Sequence, residues 1–188
     1  MKKILLILTV IIATFSSSAQ SGYRGFADLG YTFGVGDYPF GRFEVSTTQG
    51  YQVVPYFYVG AGVGFHFMQK YETKGMGDYA LDIRDAKVSI PFFIDLHSTF
   101  MKTKFSPFVD VKLGYFVTNH DGFYANASAG VRMKTIGHQA ITLAIGYSFE
   151  ELEFQTFGHF TSSSSMNYTR DPRKLGTEGI SLKLGYEF

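Results

Sequence analysis

The chain has 188 residues, with 17 Lys and Arg against 16 Asp and Glu, 20 Phe, 13 Tyr, 21 Gly and no Cys. A formal net charge of +1 leaves no excess of cations to neutralise phosphates, which excludes a generic nucleic-acid binder. The absence of Cys excludes disulfides, thiolate metal sites, a Cys nucleophile and a lipid-modified N-terminal Cys.

Residues 1–19 read as an export signal. Lys2 and Lys3 precede an apolar run from Ile4 to Ala13, broken only by Thr9, and Ser17 and Ala19 supply small residues before Gln20. Cleavage is expected between Ala19 and Gln20, leaving residues 20–188 as the mature domain. The run is shorter than the roughly 20 residues that a membrane-spanning helix needs, and no other stretch is longer. An exported chain without such a helix is either soluble or a transmembrane β-barrel.

From Ser21 onward the hydrophobic period is two. Eight segments alternate in this way, at 23–35, 42–54, 56–68, 84–97, 107–117, 123–133, 139–150 and 178–188. Each meets or slightly exceeds the roughly 9–11 residues of a tilted transmembrane strand. In the last segment Ile180, Leu182, Leu184, Tyr186 and Phe188 share one face, while Ser181, Lys183, Gly185 and Glu187 share the other. Connectors alternate as well: 36–41, 69–83, 118–122 and 151–177 would lie at one end, and residue 55, 98–106 and 134–138 at the other. Long loops outside and short turns inside are the usual asymmetry of outer-membrane barrels, with 118–122 an exception.

The two faces differ in chemistry. Leu29, Tyr31, Val45, Phe65, Phe92 and Ile94 belong to a face nearly free of charge, and aromatics gather towards the strand ends, as in the interfacial girdles of membrane barrels. The opposite face carries Arg24, Asp28, Glu44, Asp85, Lys87, Asp95, Asp110, Lys112, Arg132, Glu150, Lys183 and Glu187. An eight-stranded barrel has an interior just wide enough for side chains to fill it. These charges are therefore expected to form a mutually neutralised lumen network. Glycines of the same parity, such as Gly30, Gly60 and Gly185, would make room for long side chains. A soluble barrel would reverse the pattern. The charge-free face, the aromatic bands and the terminal Phe188 favour the membrane. The expected fold is thus an all-β, eight-stranded antiparallel transmembrane barrel, an up-and-down meander.

The last segment, Gly179 to Phe188, resembles the C-terminal strand of bacterial outer-membrane proteins. In those proteins a terminal aromatic with alternating hydrophobics is read by the barrel assembly machinery; here Leu184, Tyr186 and Phe188 would carry that signal. Residues 21–188 resemble the small outer-membrane barrel families, OmpX-like and OmpA-like barrels among them. Lys183 stands where those strands commonly have Gly. With no domain after Phe188, a peptidoglycan-binding role of the OmpA-like type is not implied.

Some small barrels of this shape are enzymes. Lipid A deacylases of similar shape carry a His-x-Ser pair, but His97 is followed directly by Ser98, and His159 by Phe160 and Thr161. His120-Asp121 reads as a surface turn, His66 as a lumen residue, and His138 as a turn residue. No His, Asp and Glu group has metal-ligand spacing. The sequons at Asn126 and Asn167 carry no weight in a bacterial barrel, and Asn126 would face the lumen. No catalytic residue, cofactor or metal is expected. Connector 151–177 begins strand-like, with Leu152 and Phe154 at a new parity, then carries the tip Ser162 to Ser165 and the basic residues Arg170, Arg173 and Lys174. The expected partners are outer-membrane lipid, the assembly machinery and a surface partner at 151–177. The expected role is structural or surface-interacting, placed ahead of a narrow pore for ions or small solutes and of a lipid-modifying enzyme.

Overall fold

The computed structural model describes residues 22–73, 82–135, 137, 139–159 and 168–188. The expected signal peptide with Ala19 and Gln20, the tip Ser162 to Ser165, His138 and Asn167 lie outside the described residues.

The described chain is all β: β1 (Tyr23–Val35), β2 (Arg42–Val54), β3 (Phe57–Met68), β4 (Tyr71–Glu72), β5 (Asp82–Arg84), β6 (Lys87–Ser89), β7 (Pro91–Thr99), β8 (Phe105–Phe116), β9 (Phe123–Lys134), β10 (Ala140–His159) and β11 (Tyr168–Glu187). β6 and β7 are two halves of one stave. Both pair with β3 in a single register, His66 with Ser89 and Val63 with Phe92. The ladder is interrupted at Ile90 and Pro91. Pro91 has no N–H to give, and Ile90 N donates instead to Thr118 Oγ1 at 2.8 Å. Counting β6–β7 once, eight staves pair antiparallel in chain order. β1 then pairs with β11 from Phe26–Glu187 to Val35–Glu178, which closes the ring. The fold is a closed, up-and-down, eight-stranded antiparallel barrel.

Five of the eight expected segments meet their strands to within about two residues at each end; the fourth and the two at the hairpin differ. Residues 84–97 are not one strand. At Asp85 and Ala86 the chain leaves the ladder, and β5 before it belongs elsewhere. Residues 151–177 are mostly not loop. β10 and β11 run 20 residues each and stay paired as far as His159–Tyr168, a two-stranded ribbon that rises past the ring. Against the free edge of β10, β5 adds Ile83 opposite Gln155 and Asp82 opposite Thr156, and β4 pairs with β5. Through β5, the described residues that follow β3 and precede β6 reach the ribbon at the loop end. This is the loop end; the opposite, turn end holds the connections at 55–56, 100–104 and 135–139 together with Tyr23 and Glu187.

Alternation sets the two surfaces. Leu29, Val45, Ile94, Leu113, Leu143, Leu182 and Leu184 point outward and are exposed, forming an apolar belt around the ring. Inside, the polar residues have aromatic company that the sequence reading did not foresee: Phe26, Tyr58, Phe93, Phe108, Phe116 and Tyr124 are all buried. The inward glycines serve both kinds of neighbour. A Cβ on Gly60 would lie 2.2 Å from the Tyr58 hydroxyl oxygen, and one on Gly30 would lie 3.1 Å from Lys183 Cγ.

Candidate functional site in the filled lumen

From the turn end upward, the interior is a stack of charged layers. At the mouth, Glu187 receives Arg24 Nη1 at 2.7 Å, Arg132 Nε at 2.5 Å and Arg132 Nη2 at 3.0 Å. These residues come from β1, β9 and β11, so one carboxylate ties three staves. Below it a cavity of about 450 Å³ opens to solvent.

The middle layer is denser. Lys112 donates to Asp28 Oδ2 at 2.5 Å and stands opposite Asp95 in the β7–β8 register. Lys183 donates to Asn126 Oδ1 at 2.6 Å, and Asn126 in turn donates to Ser181 Oγ at 3.2 Å. Asp110 accepts from Ser128 Oγ at 3.4 Å and lies 3.7 Å from His97 Nδ1, whose ring stacks on Phe108. Between these groups the remaining cavity is only about 20 Å³, room for a water molecule but not for a solute path.

Above this lies a buried knot around Arg42. Its Nε is 3.1 Å from both Glu44 Oε1 and Glu150 Oε1. Thr32 Oγ1 donates to Glu44 at 2.5 Å, and His66 Nδ1 is 2.9 Å from Glu150. Glu44, His66 and Glu150 each turn a donor atom to within 4.8 Å of the others, a convergence that chain spacing hid because they sit on β2, β3 and β10. The set fits a cation poorly: Arg42 already stands between the two carboxylates and supplies the positive charge.

The loop end is closed by an apolar cap. Leu152 and Phe154 on β10 turn inward, and Phe40, Met68, Phe93, Phe116 and Tyr124 pack with them in one buried cluster, joined by Tyr38, Tyr71 and Leu175. Arg84 and Asp121 latch the cap. The guanidinium grips the carboxylate with both Nη groups, at 2.9 and 2.8 Å, and Nη1 also reaches the Glu153 carbonyl at 2.6 Å. Asp121 further accepts from Ser89 Oγ at 2.5 Å and Glu153 N at 2.9 Å. The crossing chain, the β8–β9 connection and the ribbon are thus pinned at one point. Burial and the nearby Asp82 and Asp37 raise the Tyr38 phenol above its ordinary value.

The structure places Arg24, Asp28, Glu44, Asp95, Asp110, Lys112, Arg132, Lys183 and Glu187 on the inner face. Asp85 is a correction. The irregular residues at 85 and 86 shift the parity, so Arg84 turns in and Asp85 turns out, exposed. Lys87 is only partly covered, opposite Met68 at the loop-end rim. Asp121 is a second correction, buried rather than part of an open surface turn, while His120 beside it is exposed. Arg42 and Arg84 carry no expectation from the sequence. Arg42 shares the parity of Glu44 and was legible from it, whereas Arg84 lies where the period breaks. Leu184 and Tyr186 point outward from the closing stave, and Phe188 stacks on Tyr186 with ring centroids 6.3 Å apart.

No family model and no curated protein matches the sequence. Among solved structures the chain is similar to the outer membrane enzyme PagL, with 13% identity over 86% of this chain and 97% of that one and a TM-score of 0.46. It is similar to the Escherichia coli outer membrane protein W, with 13% identity over 90% and 100% and a TM-score of 0.44. It is also similar to a de novo designed transmembrane β-barrel, with 12% identity over 90% and 98% and a TM-score of 0.43. The barrel assignment rests on the pairing register of this chain.

Proposed function

We propose that this protein is a small bacterial outer-membrane barrel whose filled lumen serves a structural or surface-interaction role and not catalysis. The observation that carries the reading is the contrast between the two faces: an apolar belt outside a closed ring, and a capped, ion-paired interior. In water the belt would be unfavourable, since each large aliphatic side chain left out of an apolar medium forgoes about 1.5–3 kcal/mol. In lipid it is the solvent-matched surface, and closure of the ring leaves no unpaired backbone edge within the belt. Residues 20–188 would be the exported domain, with Leu184, Tyr186 and Phe188 read by the barrel assembly machinery. The turn end then faces inward. The ribbon of β10 and β11 projects outward, where Arg173 and Lys174 are exposed to a surface partner.

The test is planar-bilayer recording of the refolded mature protein, with folding and insertion verified in the same preparation. A silent, inserted protein is the expected result. Discrete steps that change in Lys112→Gln would overturn the filled lumen in favour of a narrow pore. Shortening the ribbon between residues 157 and 170 is expected to leave insertion intact and to abolish surface binding by cells that display the protein.

A further inference from the structure

The cavity at the turn end is not explained by a filled barrel. It is lined by Gly22 before β1 and Arg24 within it, by residues 52–55 at the end of β2 and the turn that follows, by Thr99 at the end of β7 with Met101 and Lys102 from the turn after it, and by Arg132 and Lys134 from β9. Four of those residues are cations, and among the described residues lining it none is acidic. The bias extends to the turns themselves, for segments 50–57, 98–107 and 132–140 contain no Asp or Glu. In the layers above, Lys112, Arg42 and Arg84 each contact a carboxylate.

The cations differ in how firmly they are held. Arg132 is 8% exposed and is clamped by Glu187 through Nε and Nη2; Arg24 uses Nη1 on the same carboxylate. One carboxylate thus orients two guanidinium groups with N–H donors to spare, the fork geometry that suits phosphate and carboxylate oxygens. Lys102 is exposed, its ammonium 5.2 Å from the Tyr56 ring centroid, and Lys134 is exposed on the neighbouring stave, its backbone N–H donating to the Lys104 carbonyl at 2.9 Å. A preset pair of Arg residues at the floor and two Lys residues at the lip, around about 450 Å³, is within the size range of small-molecule sites.

We infer that the turn-end cavity binds a phosphate-bearing anion. The source is either a free phosphorylated solute or the headgroup of an anionic phospholipid at the inner rim. The arrangement is independent of whether the lumen conducts, so it stands or falls separately from the proposed role.

The probe is inorganic pyrophosphate, titrated calorimetrically into the refolded protein in a phosphate-free maltoside detergent. Saturable binding near one per chain is expected, weakening as salt rises because the lip charges are exposed. Lys102→Gln with Lys134→Gln touches none of the lumen ion pairs and is expected to weaken binding at least about tenfold. Lys70→Gln with Lys174→Gln, at the other end, is expected to leave it unchanged. Absence of saturable binding, or equal losses in both variants, overturns the inference. The source is then read by repeating the titration in lipid nanodiscs. Loss of pyrophosphate binding when phosphatidylglycerol replaces phosphatidylcholine assigns the site to a lipid headgroup, and retained binding assigns it to a free anion.

Discussion

Arg84 shows how much rests on single side chains at the loop end. It is buried, forked onto Asp121 and bonded to the Glu153 carbonyl, so removing either charge strands the other in an apolar cap. Arg84→Ala or Asp121→Ala is expected to cost about 3–5 kcal/mol in denaturant unfolding from lipid vesicles, whereas replacing both with Met and Leu is expected to cost far less. The exposed Lys70–Glu72 pair, at 2.6 Å, is the contrast: Glu72 hydrogen-bonds the Lys70 ammonium and raises its pKa, yet Glu72→Gln is expected to leave the unfolding midpoint within error. At this scale legibility followed the ladder. Asp95, Asp110, Lys112 and Lys183 sit in regular strands, and parity alone put them inside. Asp85 failed because two irregular residues reset the phase, and Asp121 reads as a surface turn because connectors have no phase to show its burial.

Among the elements, the ribbon is the most informative. Phe188 and Gly25 exchange both backbone hydrogen bonds, at 2.9 and 3.0 Å, so even-numbered residues of β11 aim their peptide groups at the β1 side. Above Glu178, where β1 ends, no strand among the described residues pairs on that side. Pro172 falls on it and has no N–H to offer, so a second strand cannot pair along the edge without a gap. Pro172→Val is expected to restore a continuous template and produce concentration-dependent oligomers, detectable by sedimentation velocity. The belt gives a depth-dependent prediction: Leu143→Arg at mid-height is expected to cost about 2–4 kcal/mol in vesicle folding, and Phe105→Arg near the turn end about 0–1 kcal/mol from its charge. The sequence showed where the belt staves run because one face is uniformly apolar. It hid the ribbon's length, since Leu152 and Phe154 exchange lipid-type parity for packing under the cap.

For the whole molecule, the two ends of the described chain meet. The Arg24–Glu187 pair and the Gly25–Phe188 hydrogen bonds join the first stave to the last across 163 positions of sequence. Every other stave bonds to its immediate successor, so those ladders can form locally as the chain proceeds. Among the ladders between staves the seam is the one that must bring remote segments together, and its loop-closure entropy and high contact order assign it the late, slow part of folding. Until then β1 and the newest stave each offer an open edge. The finished ring, by contrast, retains no memory of where synthesis began. A permuted chain with residues 188 and 22 bridged by a short linker and a break opened between 135 and 139 is expected to form the same ring. Its slow closure would then shift to the junction of β9 and β10, visible as a changed refolding phase with an unchanged circular dichroism end point.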